Sequence, residues 1–230
     1  MKKASSIFLL SLAFLTGCQE QNVVHFWDRN SIDYSDVQAA EDQFARFAEL
    51  AVAASPDDAL TSMDVLFDKL KEDPVAYYLY SDWIDAAFYN LLSPCRNAAI
   101  YSKAVERIVK DGILSESDYA PYIQKRDWIQ YNQPGREATV PGLSLKGQRT
   151  MVLVLDQSCP SCKEALKVLT PSLGTRKIAV CCTYGPLPEE EGWEIIAPEN
   201  AQSVFDPHLT PVYFVVDADG TVETGYTIAL

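Results

Sequence analysis

Positive charge is scarce in this chain: 230 residues carry 19 Lys and Arg against 32 Asp and Glu, a formal net charge of −13. A surface so acidic repels phosphate backbones, which argues against a nucleic-acid partner. Long apolar runs are missing as well. The apolar stretch near the N-terminus, Ile7 to Leu15, is too short to cross a bilayer as a helix. No segment repeats at a constant period, so a solenoid is rejected. There are only two histidines, and His25, like Trp27 and Arg96, has no chemistry-bearing constellation around it and is read as structural. What remains is a 48% hydrophobic share, ample for a packed core, in a length that suits one large or two small domains.

Residues 1–18 read as a lipoprotein signal peptide. Lys2 and Lys3 give the positive start, Ile7 to Leu15 the short apolar middle, and Leu15-Thr16-Gly17-Cys18 resembles a bacterial lipobox. The lipobox implies that Cys18 becomes the acylated first residue. The expected protein is therefore tethered by acyl chains to a bacterial membrane, the outer membrane facing the periplasm, and is otherwise soluble. It would live where disulfides persist. Residues 19–34 show no clear period and read as a tether.

Residues 35–132 carry helix signals in series. Ser35-Asp36-Val37-Gln38 has capping-box form and precedes a stripe of Val37, Ala40, Phe44, Phe47, Ala48 and Ala51. Ser55-Pro56 and Asp73-Pro74 open two more helices. A fourth helix, roughly 97–110, stops at Asp111-Gly112, and a fifth opens at Ser115 and runs to about Tyr131. These five predict an all-α bundle. The third is crowded with Tyr77, Tyr78, Tyr80, Trp83, Phe88 and Tyr89, which read as bundle core ahead of a peptide groove or a contact with the rest of the chain. Gln133-Pro134-Gly135 then breaks the pattern.

Met151 to Leu155 is an unbroken apolar run, hence a buried strand, and it leads into Cys159-Pro160-Ser161-Cys162 and a helical pattern. A cysteine at the first turn of a helix faces unpaired backbone N–H groups and the positive end of the macrodipole, which stabilise a thiolate. Pro160 suits the first helical position, which needs no N–H. Three residues on, Cys162 lies one turn deeper on the same face, close enough for a Cys159–Cys162 disulfide. Half of a zinc site is the other reading of the motif, with Cys181 and Cys182 as the second half. Neighbours on a strand point to opposite faces, so both can hardly hold one ion, and no metal or other cofactor is expected.

With Leu209-Thr210-Pro211-Val212, the run Val212 to Val216 and the Asp219-Gly220 turn, residues 138–230 resemble a thioredoxin-like domain. The resemblance implies a cis bond at Pro211, beside Cys159, and pairing of an extended substrate segment with the Thr210 backbone. It also exposes departures: Gln157-Ser158 stand where a tryptophan precedes the motif, Leu153 stands where many members bury an acid, and the family's final helix is missing after the last strand. An open apolar sheet face would need a cover, from the helical domain or from a second protomer. The segment from Phe26-Trp27-Asp28 through Ser93-Pro94-Cys95-Arg96-Asn97 resembles a helical domain of unknown function found upstream of thioredoxin-like domains in Gram-negative lipoproteins.

The expected architecture is thus an all-α bundle followed by a thioredoxin-like α/β domain lacking its final helix. The expected activity is exchange on extracytoplasmic protein thiols and disulfides, with Cys159 attacking, Cys162 resolving, and a membrane electron donor or acceptor as second partner. A redox-inactive binding or scaffolding lipoprotein with a structural 159–162 disulfide is the alternative.

Overall fold

The computed structural model describes residues 23–170 and 174–229. Its first half is helical: α1 (Phe26–Arg29), α2 (Val37–Ala53), α3 (Pro56–Leu70), α4 (Pro74–Phe88), α5 (Ala98–Asp111) and α6 (Glu116–Ile129). The starts follow the caps written in the sequence. Ser55, Asp73 and Asn97 accept backbone N–H groups from the first turns of α3, α4 and α5, and Gly112 closes α5 in the left-handed region, φ 64°. For α2 the capping side chain is Asp36, which accepts from Ala39 N, one residue later than the expected Ser35.

The expected tether is corrected by the structure from Val23 onward. A 3₁₀ turn, Val23–His25, and α1 bury Val23, Phe26 and Trp27 in the bundle. The Trp27 ring lies 4.9 Å from that of Phe26, 5.2 Å from Phe47 and 6.0 Å from Tyr80. The Lys69 ammonium of α3 donates to the Trp27 carbonyl. The aromatic rings of α4 are core as expected, with Tyr77, Tyr80 and Phe88 fully buried, except Tyr78, which is exposed on the outer face of the helix. Arg107 of α5 locks α3 to α5 by reaching Asp64 and Asp111 at 2.6 and 2.9 Å and Asp68 at 2.5 Å. Asp111 is almost wholly buried and also pairs with Lys71, so its charge is compensated twice.

The second half is a five-stranded mixed sheet. Its strands are β1 (Thr150–Leu155), β2 (Arg176–Cys181), β3 (Glu194–Ile196), β4 (Val212–Val216) and β5 (Val222–Ile228), in the order β3-β2-β1-β4-β5. β2 runs parallel to β1 and to β3, while β4 is antiparallel to β1 and to β5. Burial of β1 on both faces explains its unbroken apolar run. Ahead of the sheet, residues 137–143 make isolated bridges, Val140 with Leu143 and Glu137 with Thr221.

One sheet face packs Met151, Leu153 and Leu155 against Ala165 and Leu166 of α7 (Pro160–Val168). The opposite face, carrying Val152, Val154, Phe214 and Val216, packs against Val204 and Phe205 and is reached by Leu91 and Tyr131 of the helical half. The helical half therefore covers the face away from α7. On the α7 side, β5 sets Thr224 and Thr227 opposite Val215 and Tyr213, so polar residues stand where an apolar strip was expected to need a cover.

The two halves meet through specific bonds. The Tyr89 hydroxyl donates to the Asp206 carboxylate at 2.6 Å, and the Trp128 indole donates to the Gln202 carbonyl at 2.7 Å. Arg96 donates to the Tyr89 carbonyl at 3.1 Å and lines a cavity with Val154, Val212 and Tyr226 of the sheet half, which places it at the seam. Among the described residues no helix is long and apolar enough to cross a membrane.

Candidate active site

Cys159 is the residue before the first turn of α7, with extended backbone, φ −79° and ψ 120°, and Pro160 occupies the first helical position. Its thiol is half-buried. Cys162, one turn on, is 1% exposed, so only Cys159 is open to a partner of any size. Both are free in the structure, which does not contain the Cys159–Cys162 disulfide expected from the sequence.

The corner between β1 and α7 is held by Asp156. Its carboxylate accepts from Ser158 N and Oγ, both at 2.7 Å, and from the Thr183 hydroxyl at 3.0 Å. The Ser158 hydroxyl and N–H, with Thr183 adding less, hold Asp156 below the usual carboxylate range. The backbone N–H of Asp156 points at the Cys162 sulfur, 3.3 Å away. This residue was missed by reasoning from CxxC and the Thr-Pro motif. The signal was present, since an Asp followed two residues later by Ser at the end of a strand is an Asx-turn pattern.

The Thr210–Pro211 bond is cis, as the resemblance implied, and leads straight into β4. Thr210 is brought to the cysteines: its side chain stabilises a Cys162 thiolate, as does the Asp156 N–H. Burial outweighs both, and with the neighbouring Cys159 thiol it pushes Cys162 up to about 12. At neutral pH Cys162 is therefore a protonated, enclosed thiol.

Cys181 ends β2 and Cys182 follows it, both buried and both pushed up by burial, with Cys181 on the α7 face and Cys182 on the other. Among the described residues no group of three or more His, Cys, Asp or Glu is arranged to hold a metal ion. Leu153 fills the position where an acid was absent and is fully buried. Cys18 lies outside the described residues.

Sheet order, the α7 corner and the cis-proline loop together define a thioredoxin-like fold. Among solved structures the chain is similar to that of a thioredoxin-like protein from Bacteroides caccae ATCC 43185, with a TM-score of 0.66 and 16% identity, covering 99% of this chain and 96% of that one. The likeness thus includes the helical half. No model of a known family matches the sequence, and no curated protein matches it.

Proposed function

We propose that the protein is a thiol/disulfide oxidoreductase acting on extracytoplasmic protein thiols and disulfides. The observation that carries this reading is the asymmetry of the pair: a half-buried Cys159 at the start of α7 with an enclosed Cys162 one turn behind it, facing Thr210. In the reducing direction the Cys159 thiolate attacks one sulfur of a substrate disulfide. A Cys159–substrate bond forms and the other substrate sulfur leaves as thiolate. Cys162 gives up its proton and attacks the Cys159 sulfur, which releases the second substrate thiolate. The chain ends with a Cys159–Cys162 disulfide, and two electrons have moved to the substrate. A membrane electron donor returns them; with an acceptor in its place the sequence runs backwards.

The test is redox cycling in glutathione buffers. The two thiols are expected to convert reversibly to one intramolecular disulfide, followed by alkylation and mass. A pair that stays oxidised throughout the buffer range points instead to a structural disulfide and the scaffolding reading.

The anchor belongs to the same proposal. Its support is the Gly17-Cys18 motif at the end of the apolar stretch. In cells, Cys18→Ser is expected to remove acylation and release the protein from the membrane fraction. Unchanged membrane association would overturn lipidation at this residue.

A further inference from the structure

The second half of the exchange requires Cys162 to lose a proton inside the protein. The thiol is enclosed, and Leu153, fully buried in the same core, brings no charge to it. What the fold supplies instead is a backbone donor. The Leu155 carbonyl accepts from Cys182 N at 2.9 Å on the β2 side, so the N–H of the same planar peptide, that of Asp156, points the other way, towards β4. Continued past Val154 and Val212, the register would set Asp156 opposite Thr210, but β4 begins only at Val212. The N–H therefore has no strand to bond and is given to the Cys162 sulfur, 3.3 Å away.

That bond lasts only while the corner keeps its shape, and one carboxylate oxygen is the point where the corner is tied. Asp156 Oδ1 accepts from Ser158 N and Oγ and from the Thr183 hydroxyl, and Thr183 Oγ1 accepts in turn from Gln157 N at 3.1 Å. Residues 156–158 are thereby pinned just ahead of Cys159. Thr183 is a fixed post, because it follows the end of β2 and its neighbour Cys182 is bonded to Leu155. The corner is thus fastened to the sheet, not only to itself.

We propose that the Asp156 side chain and Thr183 are positioning residues for the resolving step, clamping the corner so that the Asp156 N–H stays on the Cys162 sulfur as negative charge develops there. The inference rests on the oxidoreductase reading and adds to it two residues outside the cysteine and Thr-Pro motifs. In that step the Cys162 S–H gives its proton to water, the sulfur bonds to Cys159, and the Cys159–substrate bond breaks to release a thiolate. A donor to an anionic sulfur bonds more strongly than one to a neutral thiol, so the clamp favours the attacking form. Cys159 is served differently. Its attack draws on the start of α7, and the turn bond from its N–H to the Asp156 carbonyl is backbone, which side-chain substitution leaves in place. Loss of the clamp therefore acts on one of the two steps.

A single stopped-flow trace reads both steps. The reduced full chain carrying Cys18→Ser, whose remaining cysteines outside the pair are buried, is mixed with dithiobis-nitrobenzoate at varied concentration. Attack by Cys159 releases a first coloured thiolate at a rate that scales with the reagent, and resolution by Cys162 releases the second at a rate that does not. Asp156→Ala is expected to slow the second phase about tenfold and Thr183→Val about threefold, with the first phase within about twofold of the parent chain. Asp156→Asn keeps an oxygen for Ser158 N and the Thr183 hydroxyl, and should bring the second phase back to within about threefold of the parent. Should Asp156→Ala fail to fold, the Thr183→Val result stands as the test. A second phase unchanged by the substitutions, both phases slowed alike, or Asp156→Asn as slow as Asp156→Ala overturns the clamp. A parent chain that shows no second phase overturns the exchange reading itself, and the clamp with it.

Discussion

The Cys162→Ser variant is expected to accumulate covalent mixed disulfides between Cys159 and its partner proteins, whereas Cys159→Ser traps none. The argument is one of access. Cys159 is half-buried and begins α7, while Cys162 is enclosed, so a partner's sulfur reaches only the first. Without Cys162 nothing in the corner is poised to attack the Cys159–partner bond, and the intermediate persists until an outside thiol arrives. Burial that pushes Cys162 up to about 12 keeps it from acting as an independent nucleophile at neutral pH. Its proton must leave as it attacks, and the Asp156 N–H and Thr210 lower the cost of that step. Turnover of a protein disulfide by Cys159→Ser should drop at least about a thousandfold, ~4 kcal/mol in the barrier. The readout is a non-reducing gel of both variants beside a turnover assay. Equal trapping by the two, or trapping by neither, would defeat the exchange mechanism.

Trp27→Ala is expected to cost the helical half about 3–5 kcal/mol, the range for removing a large ring from a closed core. Trp27 is fully buried among Phe26, Phe47 and Tyr80, and its carbonyl holds Lys69. At about 2–4 °C per kcal/mol for a chain of this size, the loss corresponds to a fall in Tm on the order of 10 °C. Differential scanning calorimetry on the reduced chain measures it. A change under about 1 kcal/mol would mean that residues 23–29 are the tether the sequence suggested, and that the packing around the ring contributes little.

Those two expectations also mark where the sequence was legible. Helices announced by a local device were readable, because Ser55-Pro56, Asp73-Pro74, Asn97 and Gly112 act through neighbours three or four residues away. The cysteine pair and the Thr-Pro strand were readable for the same reason. α1 was not, since four residues cannot display a helical period and hold together only by packing on α2, α3 and α4. The seam was hidden as well: Tyr89 and Asp206 are 117 residues apart, and no local pattern marks a tyrosine as the donor to a particular carboxylate. Asp156 lay in plain view, overlooked because it stands outside both motifs and touches Cys162 through its backbone N–H.

The Tyr89–Asp206 bond reaches further than the seam. Asp206 also accepts from His208 N, capping the turn Pro207–Leu209, and the hydroxyl of Thr210 ties back to the Pro207 carbonyl. One wall of the thiol site thus hangs from a bracket fixed to the helical half. A fragment cut at residue 138 would keep both cysteines and every strand, but Asp206 would lose the hydroxyl that pins it, and the support of Thr210 beside Cys162 would rest on the turn alone.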